Sequence, residues 1–183
     1  THGRSDISGI LNWPQPWCQP FRDLLSFHPA LHYMLDLIGD EFHFGNANGI
    51  SMTAGTEGCV LHGGGTLVHK HAYRYVNVRM WNNLVGVCYQ LADINPGDGG
   101  FVCVPGSHKT SSPMPAGVRA GDTDMEMISH VARAAGDVLF FLAGAQTHGA
   151  LPWKGQDRRG CVLLQYRSRN LSWEYAAQRH RYA

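Results

Sequence analysis

Apolar residues recur on one face between positions 20 and 38: Phe21, Leu24 and Leu25, then Leu31, Met34, Leu35 and Ile38. The spacing follows the turn of an α-helix. Pro29 interrupts the run, and proline fits only a helix's first turn, so the pattern predicts two short helices meeting at His28-Pro29. Gly39 supplies the stop. Beyond it the texture changes to short segments rich in Val, Phe, Tyr and Cys, punctuated by Gly, Pro, Asn and Asp. Strands are expected at 41–44, 49–54, 58–62, 72–78, 84–91, 100–104, 129–132, 137–141, 147–151 and 159–167. Asn95-Pro96-Gly97-Asp98-Gly99-Gly100 is the strongest turn signal, because proline presets one φ and glycine allows a positive one. Strands following one another without crossover helices predict a mainly β, antiparallel sandwich or barrel. We read a single domain over 1–183, with a helical N-terminal part (1–40) packed on a β core (41–170). The stretch 110–124, with two prolines and two glycines, reads as a surface loop or lid.

Composition narrows the class. The chain has 183 residues, enough to bury a core without staples. Charged residues are 16% and the net charge is +1, so there is no electrostatic footprint for nucleic acid. No stretch approaches the roughly 18 consecutive apolar residues of a membrane span. The start, Thr1-His2-Gly3-Arg4-Ser5-Asp6, has no apolar signal core and no initiator Met, which predicts a fragment or a processed form. Cys18, Cys59, Cys88, Cys103 and Cys161 are odd in number, scattered and without a CxxC. They read as reduced, core-packed thiols of an intracellular, cytoplasmic protein, with one disulfide left open as the alternative.

Eleven histidines make a metal site worth seeking. His62 ends an expected strand and is followed by Gly63-Gly64-Gly65, so its imidazole can face an open cavity or simply be solvated in a turn. The triple glycine lacks P-loop spacing and its Lys-Ser/Thr ending. His148 follows the apolar strand 138–141, and Arg158-Arg159 stand ten residues on, across a hairpin turn. An arginine there can clamp the far carboxylate of a small dicarboxylate whose other end meets a metal, since its planar fork matches a carboxylate. A solvent-facing arginine pair is the plainer reading. His69-Lys70-His71 puts two histidines on one strand face, but its surroundings look like a polar surface strand. His2, His28, His32, His43, His130 and His180 show no partner spacing.

Taken together, four segments resemble the phytanoyl-CoA dioxygenase family of iron(II)- and 2-oxoglutarate-dependent oxygenases. They are 24–39, 55–62, 89–109 (with Val104-Pro105-Gly106-Ser107-His108-Lys109 its most specific part), and 136–141 followed by His148-Gly149 and Arg158-Arg159. The resemblance implies a double-stranded β-helix, a cupin-like jelly roll. It implies that His62 and His148 hold iron, that Arg158 binds the 2-oxoglutarate tail with Arg159 as the fallback, and that Ser107-His108-Lys109 is structural. The family pattern has an aspartate two residues after the first histidine; here Gly64 stands there. Related halogenases carry a small residue at this place, leaving room for chloride. Alternatively Glu57, Asp93 or Asp98 completes the ligand set, or the first histidine is misassigned, or the iron site is lost. We favour a retained iron site with its third protein ligand open.

The resemblance thus implies a dioxygenase that uses Fe(II), 2-oxoglutarate and O2 to hydroxylate an aliphatic carbon of a small molecule. The alternatives are a halogenase that also takes chloride, and a non-catalytic jelly-roll binding module. A small-molecule substrate is the expected partner, with no nucleic acid and no membrane; oligomeric state stays open. No cluster of basic residues marks a CoA phosphate site.

Overall fold

In a computed structural model the described residues are 3–63, 73–110, 114–123 and 126–169. The chain opens with strand β1 (Arg4–Ser8), a 3-10 turn (Ile10–Asn12) and helices α1 (Gln19–Leu25) and α2 (His28–Ile38). Then follow β2 (Phe42–Met52), β3 (Cys59–His62), β4 (Tyr73–Val76), β5 (Arg79–Asn82), β6 (Leu84–Gln90) and β7 (Gly100–Cys103). A short helix α3 (Ala116–Ala120) precedes β8 (Ser129–His130), β9 (Val138–Phe141), β10 (His148–Leu151) and β11 (Arg159–Ser168). Among these residues a five-stranded sheet runs β1-β2-β11-β6-β9, a four-stranded sheet runs β3-β10-β7-β8, and β4-β5 form a separate hairpin. All pairings are antiparallel. The fold is the mainly β jelly roll expected from the sequence.

The large sheet is covered on both faces, which is why β6 is buried at every position. Val85, Val87 and Tyr89 join Val162, Leu164 and Tyr166 of β11 under Ala30 and Met34 of α2. The alternate residues Leu84, Cys88 and Cys161 face the small sheet, where they meet Phe101 and Phe141. That second face is the barrel interior. The helices divide as Pro29 requires: it falls in the first turn of α2, where its missing N–H is not needed. Gly39, at φ 94°, ends α2 with its N–H on Leu35 O at 3.0 Å.

Several elements differ from the sequence reading. The strands expected at 41–44 and 49–54 are one continuous β2, whose polar Asn46 and Asn48 stand opposite Gln165 and Leu163 of β11. The strand expected at 72–78 turns back at Asn77-Val78, both at positive φ, to form β4-β5. Such a primed hairpin turn is signalled by Asn-Gly, and Val78 hides it. The N-terminal part is not wholly helical: β1 is an exposed, mostly polar edge strand, and an edge needs no apolar alternation. Segment 110–124 contains α3, with Val118 fully buried. Met114 packs on Leu61, Val102 and Val104, which face away from the barrel interior, so the described part of this segment roofs the outside of the small sheet. The five cysteines are free thiols. No helix among the described residues is long and apolar enough to cross a membrane.

Met34 is fully buried where α2 meets the large sheet. Met34→Ala should therefore cost about 2–5 kcal/mol through the cavity it leaves. Urea unfolding followed by circular dichroism measures that loss.

Candidate metal and cosubstrate centre

His62 ends β3, His148 begins β10, and the ladder sets them directly opposite each other. Directly opposed residues share a sheet face. Their ring centroids lie 4.4 Å apart at an interplanar angle of 56°. The backbones can close this far because the facing positions carry no bulk. A Cβ on Gly149 would meet Cys59 O at 3.0 Å and Leu61 Cα at 3.2 Å. Gly63, at φ +82°, would bring a Cβ to 2.6 Å from Gln146 O and 3.3 Å from His148 Nδ1.

Both imidazoles are held in the same way. His62 Nδ1 is 3.0 Å from Val60 O, and His148 Nδ1 is 2.8 Å from Gln146 O. A carbonyl oxygen only accepts, so each Nδ1 must carry the proton and each lone pair sits on Nε2. This tautomer and this support suit a histidine that binds metal through Nε2. His62 is exposed and His148 is buried, so the pair spans from the mouth to the interior. Phe101 stacks on His148 with centroids 5.9 Å apart, and Phe141 lies 4.8 Å from it. The Pro105-Gly106-Ser107 turn anchors the approach to His148. Buried Ser107 Oγ accepts from Thr147 N–H at 2.8 Å, and Val104 N–H donates to Thr147 O at 2.9 Å.

The adjacent arginines separate. Arg158 is exposed ahead of β11, whereas Arg159 opens the strand and is only 5% exposed. Arg159 shares the interior face with Cys161. Its Nη1 donates to Met52 Sδ at 2.9 Å, while its Nε is buried with no acceptor. Glycine at position 100 makes room for it: a Cβ there would sit 3.2 Å from that Nε. A second buried arginine, Arg133, is 8% exposed and lies 5.5 Å from the centre of the Phe101 ring. Burial pushes its guanidinium below the usual range, opposed by the Cys88 and Cys161 sulfurs, with Arg159 adding to the shift. Cys161 is drawn down by its hydrogen bond with Cys88 and by the two arginines, against the effect of burial.

The other candidates do not converge on the pair. Asp93 Oδ1 accepts from Ala135 N–H and Asp98 Oδ2 from Asn95 N–H, so both carboxylates tie turns. Glu57 is exposed before β3. Among the described residues no three His, Cys, Asp or Glu side chains are grouped to hold a metal. Two histidine ligands therefore fit a metal, and no described carboxylate joins them. Gly64, His69 and His71 lie outside the described residues, as do His2 and His180. His28, His32 and His130 are exposed, and His43 is half-buried at the far end of β2. Sequence reasoning missed Arg133, although one signal was present: a lone charge among small apolar residues in Val131-Ala132-Arg133-Ala134-Ala135.

The jelly roll thus carries a facing histidine pair on its small sheet and a buried arginine at the start of its last described strand. Residues 10–161 match the family model for phytanoyl-CoA dioxygenase, and the chain belongs to that family. It is thus an oxidoreductase of the iron- and 2-oxoglutarate-dependent kind. No curated protein matches it. Among solved structures it is similar to HygX from Streptomyces hygroscopicus with nickel, 2-oxoglutarate and hygromycin B bound. The TM-score is 0.75 at 22% identity, covering 92% of this chain and 71% of that one. AviO1 from Streptomyces viridochromogenes Tue57 gives 0.63 at 17%, covering 90% of this chain and 66% of that one. The epimerase SnoN from nogalamycin biosynthesis gives 0.64 at 15%, covering 91% and 61%. At these identities the likeness is one of fold.

Gly63→Ala should displace the Gln146 carbonyl that sets the His148 tautomer. Metal affinity is expected to fall about 10–100-fold while the far-ultraviolet circular dichroism stays native. Nickel titration calorimetry checks the first and the spectrum checks the second.

Proposed function

We propose that the protein binds iron(II) through His62 and His148, holds 2-oxoglutarate with its far carboxylate on Arg159, and hydroxylates an aliphatic carbon of a small molecule. The observation that carries this reading is the matched Nδ1 support of two facing rings 4.4 Å apart, which supports a lone pair on each Nε2. When bound, iron and 2-oxoglutarate together with O2 supply the oxidising power and release succinate and carbon dioxide. This chain's own residues place and shield. The Val60 and Gln146 carbonyls hold the imidazoles, Phe101 and Phe141 keep water from the buried side of His148, and the Arg159 fork pairs with carboxylate. The burial of Arg159 favours it over Arg158 for that role.

The substrate side is polar. Register puts Phe141, Gly86, Gln165 and Asn46 in one row across β9, β6, β11 and β2, with Asn48 next on the same face of β2. Amide side chains in that row, beside the aromatic that contacts His148, suit a small molecule bearing hydrogen-bonding groups. HygX was solved with hygromycin B, which supports a small-molecule substrate here. Free thiols throughout suit a reducing cell interior.

A second reading rests on Gly64. Without a carboxylate there, chloride or water completes the ligand set, and chloride would direct the reaction to halogenation. Succinate release with iron(II), 2-oxoglutarate and O2 tests the main reading, and the mass of the oxidised product under added chloride separates the two. His62→Ala and His148→Ala should abolish turnover. Arg159→Ala should raise the KM for 2-oxoglutarate by about 10–100-fold, from the loss of about 1.5–3 kcal/mol of charged hydrogen bonding, and Arg158→Ala should leave it unchanged. Absence of succinate with iron, nickel-free and under oxygen, sinks the proposal.

A further inference from the structure

Four buried guanidinium nitrogens point to an anion that the chain itself does not supply. Arg133 Nε, Nη1 and Nη2 and Arg159 Nε are all buried with no hydrogen-bond acceptor. An uncompensated charge in an interior is costly, and native proteins keep one only where a partner arrives. The cost is compounded because the two cations repel each other.

Neighbouring groups do not relieve it. The Asp137 carboxylate, the acidic group that acts on Arg133, accepts from Ala134 N–H at 2.8 Å across its own turn. Asp93 is committed to Ala135 N–H at 2.7 Å. Cys88 and Cys161 act on Arg133 through charge, but neither sulfur accepts a hydrogen bond from it. Among the described residues neither arginine forms an ion pair.

Both guanidiniums meet the same stretch of β7. Gly100 stands beside the Arg159 Nε with no side chain, and the next residue, Phe101, lies under the Arg133 guanidinium. Phe101 also stacks on His148. The two cations and the histidine pair are therefore served by one short stretch of β7, one ring apart. Resting on the cosubstrate reading above, we propose that Arg133 is a second cosubstrate-binding arginine: Arg133 and Arg159 together close on the far carboxylate of 2-oxoglutarate.

Arg159 reaches the carboxylate from the start of β11, the central strand of the large sheet. Arg133 reaches it from the segment that bridges Ile94, beyond the end of β8. Two forks from different parts of the barrel give the carboxylate more donors than one arginine offers, and they make the pocket selective for a charged tail. They also make the ligand-free barrel pay for two adjacent buried cations until the dicarboxylate binds.

The test uses the whole chain, first metal-free, and titrates 2-oxoglutarate and glutarate by calorimetry with thermal unfolding in parallel. Arg133→Met should weaken both acids at least tenfold and leave nickel affinity measured without acid unchanged. It should also hold or raise the melting temperature of the acid-free protein, because an unpaired buried cation is removed, and abolish most of the rise that 2-oxoglutarate produces in the wild type. Arg133→Lys, which keeps the charge but not the fork, should fall between them. A lowered melting temperature in both variants with acid affinity at the wild-type value makes Arg133 a structural residue and overturns the proposal. Loss of acid binding in Arg159→Met alone also overturns it, and leaves the cosubstrate reading standing. A wild type that binds glutarate through both arginines yet releases no succinate upholds the two-arginine pocket and removes the cosubstrate reading. Binding of neither acid, with or without nickel, overturns both.

Discussion

The pairing of β11 with β2 on one side and β6 on the other holds this molecule together. β11 is sandwiched along most of its length, so its alternation serves two layers at once. Val162, Leu164 and Tyr166 seat the helices. Arg159, Cys161 and Leu163 face the barrel interior, where Cys161 and Leu163 pack with the inner core. A slip by one residue would exchange these sets, sending the guanidinium under α2 and the large apolar groups into the pocket. Apolar burial on the helical side therefore fixes the parity that turns Arg159 inward. Core packing and site geometry are the same constraint here.

The small sheet works under a different limit, that of close backbone approach. β3, β10 and β7 bring His62, His148 and Cys103 abreast, and they do so with glycine where a side chain would block the way. A Cβ on Gly58 would collide with Ala150 O, and one on Gly99 with Pro152 O. Glycine is entropically expensive in strands, yet these positions accept that cost because the ladder could not otherwise close around the histidines. Carbonyls of β3 (Val60) and of the turn before β10 (Gln146) then set the tautomers. The Ser107 hydroxyl extends this economy: a turn from the family's most specific motif satisfies the buried N–H next to His148.

The interior is electrostatically unfinished. Two buried arginines lie beside Phe101 and the Cys88 and Cys161 thiols, and the described carboxylates nearby are spent on turns. Likewise two histidines present lone pairs without a described acid beside them. The proposed cosubstrate, a small dicarboxylate, would bring the negative charge that this interior lacks. On that proposal stability and ligand binding are linked, since binding would relieve charge that folding has buried.

The sequence alone determined the helix pair and its break at Pro29, most of the strands, the jelly-roll class and the two histidines, because each leaves a local mark: a 3.6 period, a proline, a turn cluster, a His-Gly strand end. It also carried the family, through Pro105-Gly106-Ser107-His108-Lys109 and its flanking segments. Edge strand β1, the Asn77-Val78 hairpin and helix α3 left too weak a mark, since polar edges and single turns lack periodicity. Which arginine faces inward could not be read from Arg158-Arg159, because β11 is buried on both faces and apolar alternation is lost. Only the register of β11 between two neighbours decided it. Arg133 and Asp93 were decided by tertiary contacts too: Arg133 lies against Phe101 and Asp93 ties Ala135 N–H, and those contacts join residues far apart in the chain.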